Sequence, residues 1–132
     1  MRAKLSVLRA CHRVLKPEGR IAFYTIYVAP GLSAADYRRV LKLWPSVASG
    51  KRSPSEMLES AGFIDVHETG VTKQYERTAK GWLNGRRRHY DDLKQALGAT
   101  ALDGKIGENE FMLALMKDGL IRRSLLTARR PV

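Results

Sequence analysis

What this sequence lacks narrows it first. It has one cysteine, Cys11, which rules out an internal disulfide and suits a reducing compartment. No apolar run approaches the roughly 20 residues that span a bilayer, and the N-terminus has no long apolar stretch of the signal-peptide kind, so the reading is a cytoplasmic protein. The three histidines, His12, His67 and His89, have no metal-ligand spacing, and no metal site is expected. No serine, cysteine or threonine sits in a nucleophile motif. Acidic residues are scarce, 13 against 24 Lys and Arg, for a formal net charge of +11. That balance admits nucleic acid as a partner. The arginines are spread from Arg2 to Arg130 rather than gathered in a patch, which makes solvated faces the better account.

What is present suits a folded chain, with 44% hydrophobic and 28% charged residues in 132. Val7, Leu8, Cys11, Val14 and Leu15 recur on one helical face, with Ser6, Arg9, His12 and Arg13 opposite. Lys16-Pro17-Glu18-Gly19 then predicts a type I turn, since proline presets the second position and glycine suits the fourth. The run that follows, Ile21 to Val28, is β-branched and aromatic without polar alternation and reads as a strand. Such strands are usually covered on both faces in an α/β sheet.

Ser33 caps a second helix, with Tyr37, Val40, Leu41 and Trp44 on one face and Pro45 ending it; Pro45 to Arg52 reads as a loop. Ser53-Pro54-Ser55-Glu56 predicts an N-cap, a proline in the first turn and a helix closed by Gly62. Phe63 to Val71 alternates as an edge strand with one exposed face. Thr78 to Leu97 predicts one long helix whose stripe holds Trp82, Arg86, His89, Tyr90, Leu93 and Leu97. Asp103 to Gly107 reads as a loop, Phe111 to Met116 as a helix ended by Gly119, and Leu120 to Arg129 as the last strand.

Arg13-Val14-Leu15-Lys16-Pro17-Glu18-Gly19 with its flanking helix and strand resembles the late part of the class I methyltransferases that use S-adenosylmethionine, whose R-V-L-K-P-G-G turn precedes the fifth strand. Glu18 stands where the family has the first of its two glycines. Ala61-Gly62-Phe63 is similar to the family's approach to its sixth strand, and Thr127 to Pro131 to the end of its last. The resemblance implies an α/β fold, the C-terminal part of a Rossmann-like methyltransferase domain, with three strands, the central one antiparallel, and about five helices. The whole of 1–132 then forms one partial domain with an inserted helical segment at about 76–119. It also implies that Leu120 to Arg129 lies between the other two strands, leaving the far edge of Arg20 to Val28 bare and open to self-association.

The family's cofactor site needs a glycine-rich turn after its first strand and an acidic residue ending its second. Neither G-x-G-x-G nor G-x-G-x-x-G occurs, so S-adenosylmethionine is implied by family while its main binding motif is absent. The expected activity is methyl transfer to a small molecule by a larger enzyme, this chain alone being inactive. The alternative is a non-catalytic basic module that binds nucleic acid or a partner protein. Acceptor-binding candidates are Tyr27, near the strand end where α/β sheets hold ligands, and Trp82, Arg86 and Tyr90 on the inserted helix, with Asp65 or Glu68 as structural partners for Arg86 otherwise. Cys11 reads as a buried small apolar residue.

Overall fold

The computed structural model describes residues 2–43 and 52–132. The expected face position of Trp44, the helix stop at Pro45 and most of the loop to Arg52 lie outside the described residues. In chain order the elements are α1 (Arg2–Val14), β1 (Arg20–Val28), α2 (Ala34–Leu43), α3 (Pro54–Ser60), β2 (Ile64–Gly70), α4 (Thr72–Arg88), α5 (Tyr90–Leu97), α6 (Ala99–Lys117) and β3 (Ile121–Arg129). The sheet order is β1-β3-β2, with β3 antiparallel to both neighbours, as the resemblance implies. Among the described residues no strand pairs with the outer edge of β1.

Side-chain alternation sorts the core into two layers. On one face Ile21 and Phe23 of β1 and Leu126 and Ala128 of β3 pack against Leu8 of α1 and Met57 and Leu58 of α3. On the other, Ile26, Val28 and Ile121 meet Val40 of α2, Ala79 and Leu83 of α4, and Leu113 and Met116 of α6. This second layer covers only the C-terminal half of β1. Arg20, Ala22 and Tyr24 therefore stay exposed, and β1 is not covered on both faces along its length as its composition suggests.

Local chemistry sets the element ends. Ser33 Oγ accepts from Asp36 N at 3.1 Å, and Ser53 Oγ from Glu56 N at 3.2 Å with Pro54 in the first turn. In the turn before β1, Gly19 N donates to Lys16 O at 2.8 Å, while Glu18 has φ 65°. A positive φ at the third position belongs to a type II turn and not the expected type I, which is why glycine would suit position 18. The turn is tied to the far end of the chain by Glu18 N to Arg130 O, 3.0 Å, and Arg130 N to Gly19 O, 2.8 Å. The Arg130 guanidinium also donates to the carbonyls of Leu15 and Arg13, so a cation closes the C-terminus of α1.

Four expectations about the helices and one about the edge strand need correction. On α1, Leu5, Leu8 and Cys11 face the sheet, as does Leu15 just after it, whereas Val7 and Val14 are 61% and 82% exposed. His12 turns inward instead of outward, its ring edge-on to Phe63 at 5.1 Å. The long helix is two, α4 and α5, broken at His89. Arg86, Arg87 and Arg88 fall in the last turn of α4, and Asp91 and Asp92 in the first of α5, each favourable to the end it occupies. The stretch Asp103 to Gly107 is helical, not a loop. Leu102, Ile106, Asn109, Leu113 and Met116 form an inward stripe along α6 at three- and four-residue spacing, and that burial outweighs the two glycines.

In β2 the alternation breaks at Asp65 (φ 52°), where a bulge separates Ile64↔Arg129 from His67↔Thr127. Asp65 accepts from Arg129 Nε at 2.8 Å, and Glu18 lies 4.0 Å from the same guanidinium.

These geometries predict opposite signs for two glycine substitutions. A Cβ at Gly104 meets nothing within 4 Å, so Gly104→Ala should stabilise the chain by about 0.5–1 kcal/mol. Gly62 has φ +95° and a Cβ there would lie 3.2 Å from His12 Nε2, so Gly62→Ala should cost more than about 1 kcal/mol. Urea midpoints that move the same way for both would contradict the assignment.

Candidate functional site

The C-terminal half of β1 carries a polar cluster on the face shared with α1 and α3. Tyr27 Oη donates to Glu68 Oε2 of β2 at 3.1 Å and lies 3.3 Å from Ser124 Oγ of β3. Ser55 Oγ at the start of α3 donates to Glu68 Oε1 at 3.3 Å. Thr25 faces Ser124 across the strand pair, and Lys4 Nζ reaches Thr25 Oγ1 at 3.4 Å and the Ile26 carbonyl at 3.3 Å. Partial burial of Lys4 disfavours its charge and holds its pKa below the usual lysine value. Three strands and two helices thus bring a phenol, a carboxylate, hydroxyls and an ammonium to one end of the sheet, where open α/β sheets bind ligands.

Beside this cluster lies a cavity of about 490 Å³ between α1, the start of α3 and β1. Val7, Cys11, Phe23 and Met57 line it, with Lys4 and Thr25 at the polar end. Cys11 is half-buried in this apolar wall and unpaired. Among the described residues no three His, Cys, Asp or Glu groups could share a metal ion, and no helix is long and apolar enough to cross a membrane.

The sequence candidates fall in three places. Tyr27 is the anchor of the polar cluster. Trp82, half-exposed on α4, sets its ring edge-on to Tyr75 at 6.0 Å. Tyr90 opens α5 and donates to Asp103 Oδ1 of α6 at 2.7 Å. Arg86 is half-buried near the end of α4, in no ion pair among the described residues, while its neighbour Arg87 meets Glu110. The partners considered for Arg86 are used elsewhere: Asp65 holds Arg129 and Glu68 holds Tyr27. Sequence reasoning missed Ser124 and paired Glu68 with Arg86 instead of Tyr27. Their signal is weak, because Glu68 reads as an ordinary outward strand residue until the bulge at Asp65 shifts the register behind it.

Among solved structures, the chain superposes on phosphoethanolamine N-methyltransferase 2 of Haemonchus contortus, in complex with phosphomonomethylethanolamine and S-adenosylhomocysteine. The TM-score is 0.81 at 16% identity, over 97% of this chain and 30% of that one. A protein described as a sarcosine dimethylglycine methyltransferase from Galdieria sulphuraria gives 0.82 at 14% identity, over 97% and 47%. A cyclopropane synthase from Mycobacterium tuberculosis gives 0.76 at 18% identity, over 96% and 49%. No family model matches the sequence, and no curated protein matches it. The chain has the fold of the C-terminal part of a class I methyltransferase, and it spans less than half the length of these three proteins.

The residues present do not fit the cofactor of that fold. S-adenosylmethionine carries a sulfonium cation and a ribose that call for a carboxylate and a glycine-rich backbone turn. The cavity offers an ammonium and no carboxylate, and Gly31 after β1 stands alone.

Two outcomes follow from the hydrogen bonds. Tyr27→Phe removes the contact of the buried Ser124 hydroxyl and should destabilise by about 1 kcal/mol, while Glu68→Gln, at an exposed carboxylate, should cost less; chemical denaturation compares them. The Tyr90 pKa is raised, first by its hydrogen bond to Asp103 and then by slight desolvation and the Asp103 and Asp91 charges. Asp103→Asn should bring Tyr90 back toward the usual phenol value, read as phenolate absorbance against pH; an unchanged titration would contradict the contact.

Proposed function

We propose that this chain is the acceptor-binding part of a cytoplasmic S-adenosylmethionine-dependent methyltransferase that acts on a small molecule, with the cofactor-holding groups supplied by residues outside it. The observation that carries this reading is the superposition of 97% of the chain on the methyltransferase fold, including the β1-β3-β2 order and the helices between β2 and β3. The segment from about 76 to 119 is the inserted part, and it shapes the acceptor side. Tyr27 marks the ligand end of β1, Trp82 and Tyr90 give aromatic walls, and Arg86, without an acid partner among the described residues, faces a polar or anionic group of the acceptor.

Methyl transfer asks mainly for alignment of the nucleophile with the methyl group, so a rigid polar cluster such as Tyr27, Glu68 and Ser124 serves by orienting the acceptor. The edge of β1 that pairs with no strand among the described residues, touched by Lys4 at the Ile26 carbonyl, is where the rest of the sheet joins or, in its absence, where copies self-associate.

The net charge of +11 favours the second reading, a basic module for nucleic acid or an acidic partner. One titration set separates the two. Calorimetry with S-adenosylmethionine should give no saturable heat for this chain alone, whereas micromolar affinity would refute the claim that it holds only the acceptor side. Phosphoethanolamine or sarcosine, the acceptor chemistries of the structural neighbours, should shift amide resonances of Tyr27, Arg86 and Tyr90, and Arg86→Met should weaken that response. Single-stranded RNA that binds tightly with steep salt dependence, beside silence toward both acceptors, would move the assignment to the basic module.

A further inference from the structure

One guanidinium is held in place without an anion. Arg123 of β3 puts its guanidinium carbon over the ring of Tyr24 of β1, 4.5 Å from the centroid, and over that of Tyr75 of α4, 4.2 Å away. Its backbone is fixed as well: Arg123 N donates to Thr72 Oγ1 at 3.0 Å, and its carbonyl accepts from Val71 N at 2.8 Å. Among the described residues the acid-paired arginines are Arg39, Arg87 and Arg129, and no acceptor meets the Arg123 side chain. Its nitrogens are not sealed off, since the buried polar side-chain atoms without partners belong to His12 and Asn109.

Ring faces take up the faces of a guanidinium and leave its in-plane N–H fork unused. That fork matches an oxyanion with two oxygens in reach, and a side chain already held by two rings loses little freedom when it binds. Tyr24 beside it is 57% exposed, and Trp82, 50% exposed, stands edge-on to the other flanking ring, Tyr75. The chain's excess of positive charge raises the local concentration of anions.

We propose that Arg123, flanked by Tyr24 and Tyr75, is a binding site for a small organic anion that carries a carboxylate or a phosphate monoester. The site goes beyond the acceptor reading because it requires neither cofactor nor methyl transfer, and it is tested with simple anions on the chain alone.

Trp82 becomes the sole tryptophan in a Trp44→Phe background, and its emission then reports on the site. Inorganic phosphate and acetate are titrated separately against chloride at constant ionic strength. A saturable change with a midpoint on the order of millimolar is expected, weakened about tenfold in Arg123→Lys, which keeps the charge but loses the fork, and absent in Arg123→Met. A response to phosphate alone assigns a phosphate ester, and one to acetate alone a carboxylate. No response to either, or an unchanged response in Arg123→Met, overturns the site and leaves Arg123 a clamp between β1 and α4. Should the variants lose their far-ultraviolet circular dichroism, the Arg123 Nε–H resonance of the unaltered chain decides: a saturable shift with either anion upholds the site, and its absence overturns it.

Discussion

The fold depends on the pairing of β3 between β1 and β2. β3 pairs with β1 along its whole length, from Arg20↔Arg129 to Val28↔Ile121, and with β2 on its other side. Among the described residues nothing else joins the N-terminal and C-terminal parts of the chain as broadly. The end of β3 also locks the first turn, where Arg130 closes α1 and Arg129 meets two carboxylates held at positive φ, Glu18 and Asp65. Such exposed ion pairs are weak one by one. Their worth lies in geometry, because they hold the turn before β1 and the bulge of β2 at the same end of β3.

The opposite end of the sheet inherits its polar character from the same strand. Ser124 and Arg123 are neighbours in β3 and so point to opposite faces. Ser124 joins Tyr27 and Glu68 on the side of α1 and α3, while Arg123 lies against Tyr24 and Tyr75 on the side of α4. One strand thus places a hydroxyl-carboxylate cluster and an aromatic-flanked cation back to back. The apolar cavity lies on the α1 and α3 face, with Val7 exposed at its rim.

Much of the architecture was legible in the sequence because its signals are local and strong. The caps at Ser33 and Ser53, the proline turn and the three strand runs each have a short-range physical cause, and the strand order came with the resemblance those motifs carry. The errors have causes too. The glycines at 104 and 107 argue locally for a loop, and only the tertiary burial of Leu102, Leu113 and Met116 makes that stretch a helix. The break at His89 was written in the charges on either side of it, Arg86 to Arg88 and then Asp91 and Asp92, and was hidden by a hydrophobic stripe that runs through both helices. Of the site, Tyr27 was visible from its place at a strand end, whereas Glu68 and Ser124 became neighbours of it only through register. Arg123 looked like one more arginine in a basic strand until Tyr24 and Tyr75 closed on it.

Native-state hydrogen exchange tests the central role of β3 most directly. Amides of Ile121 to Arg129 that face β1 and β2 should exchange only through global unfolding, with the slowest rates in the chain, while those of α5, which buries no residue fully, exchange through local opening. Slower exchange in α5 or α1 than in β3, or loss of β3 protection with the rest of the sheet intact, would contradict the account.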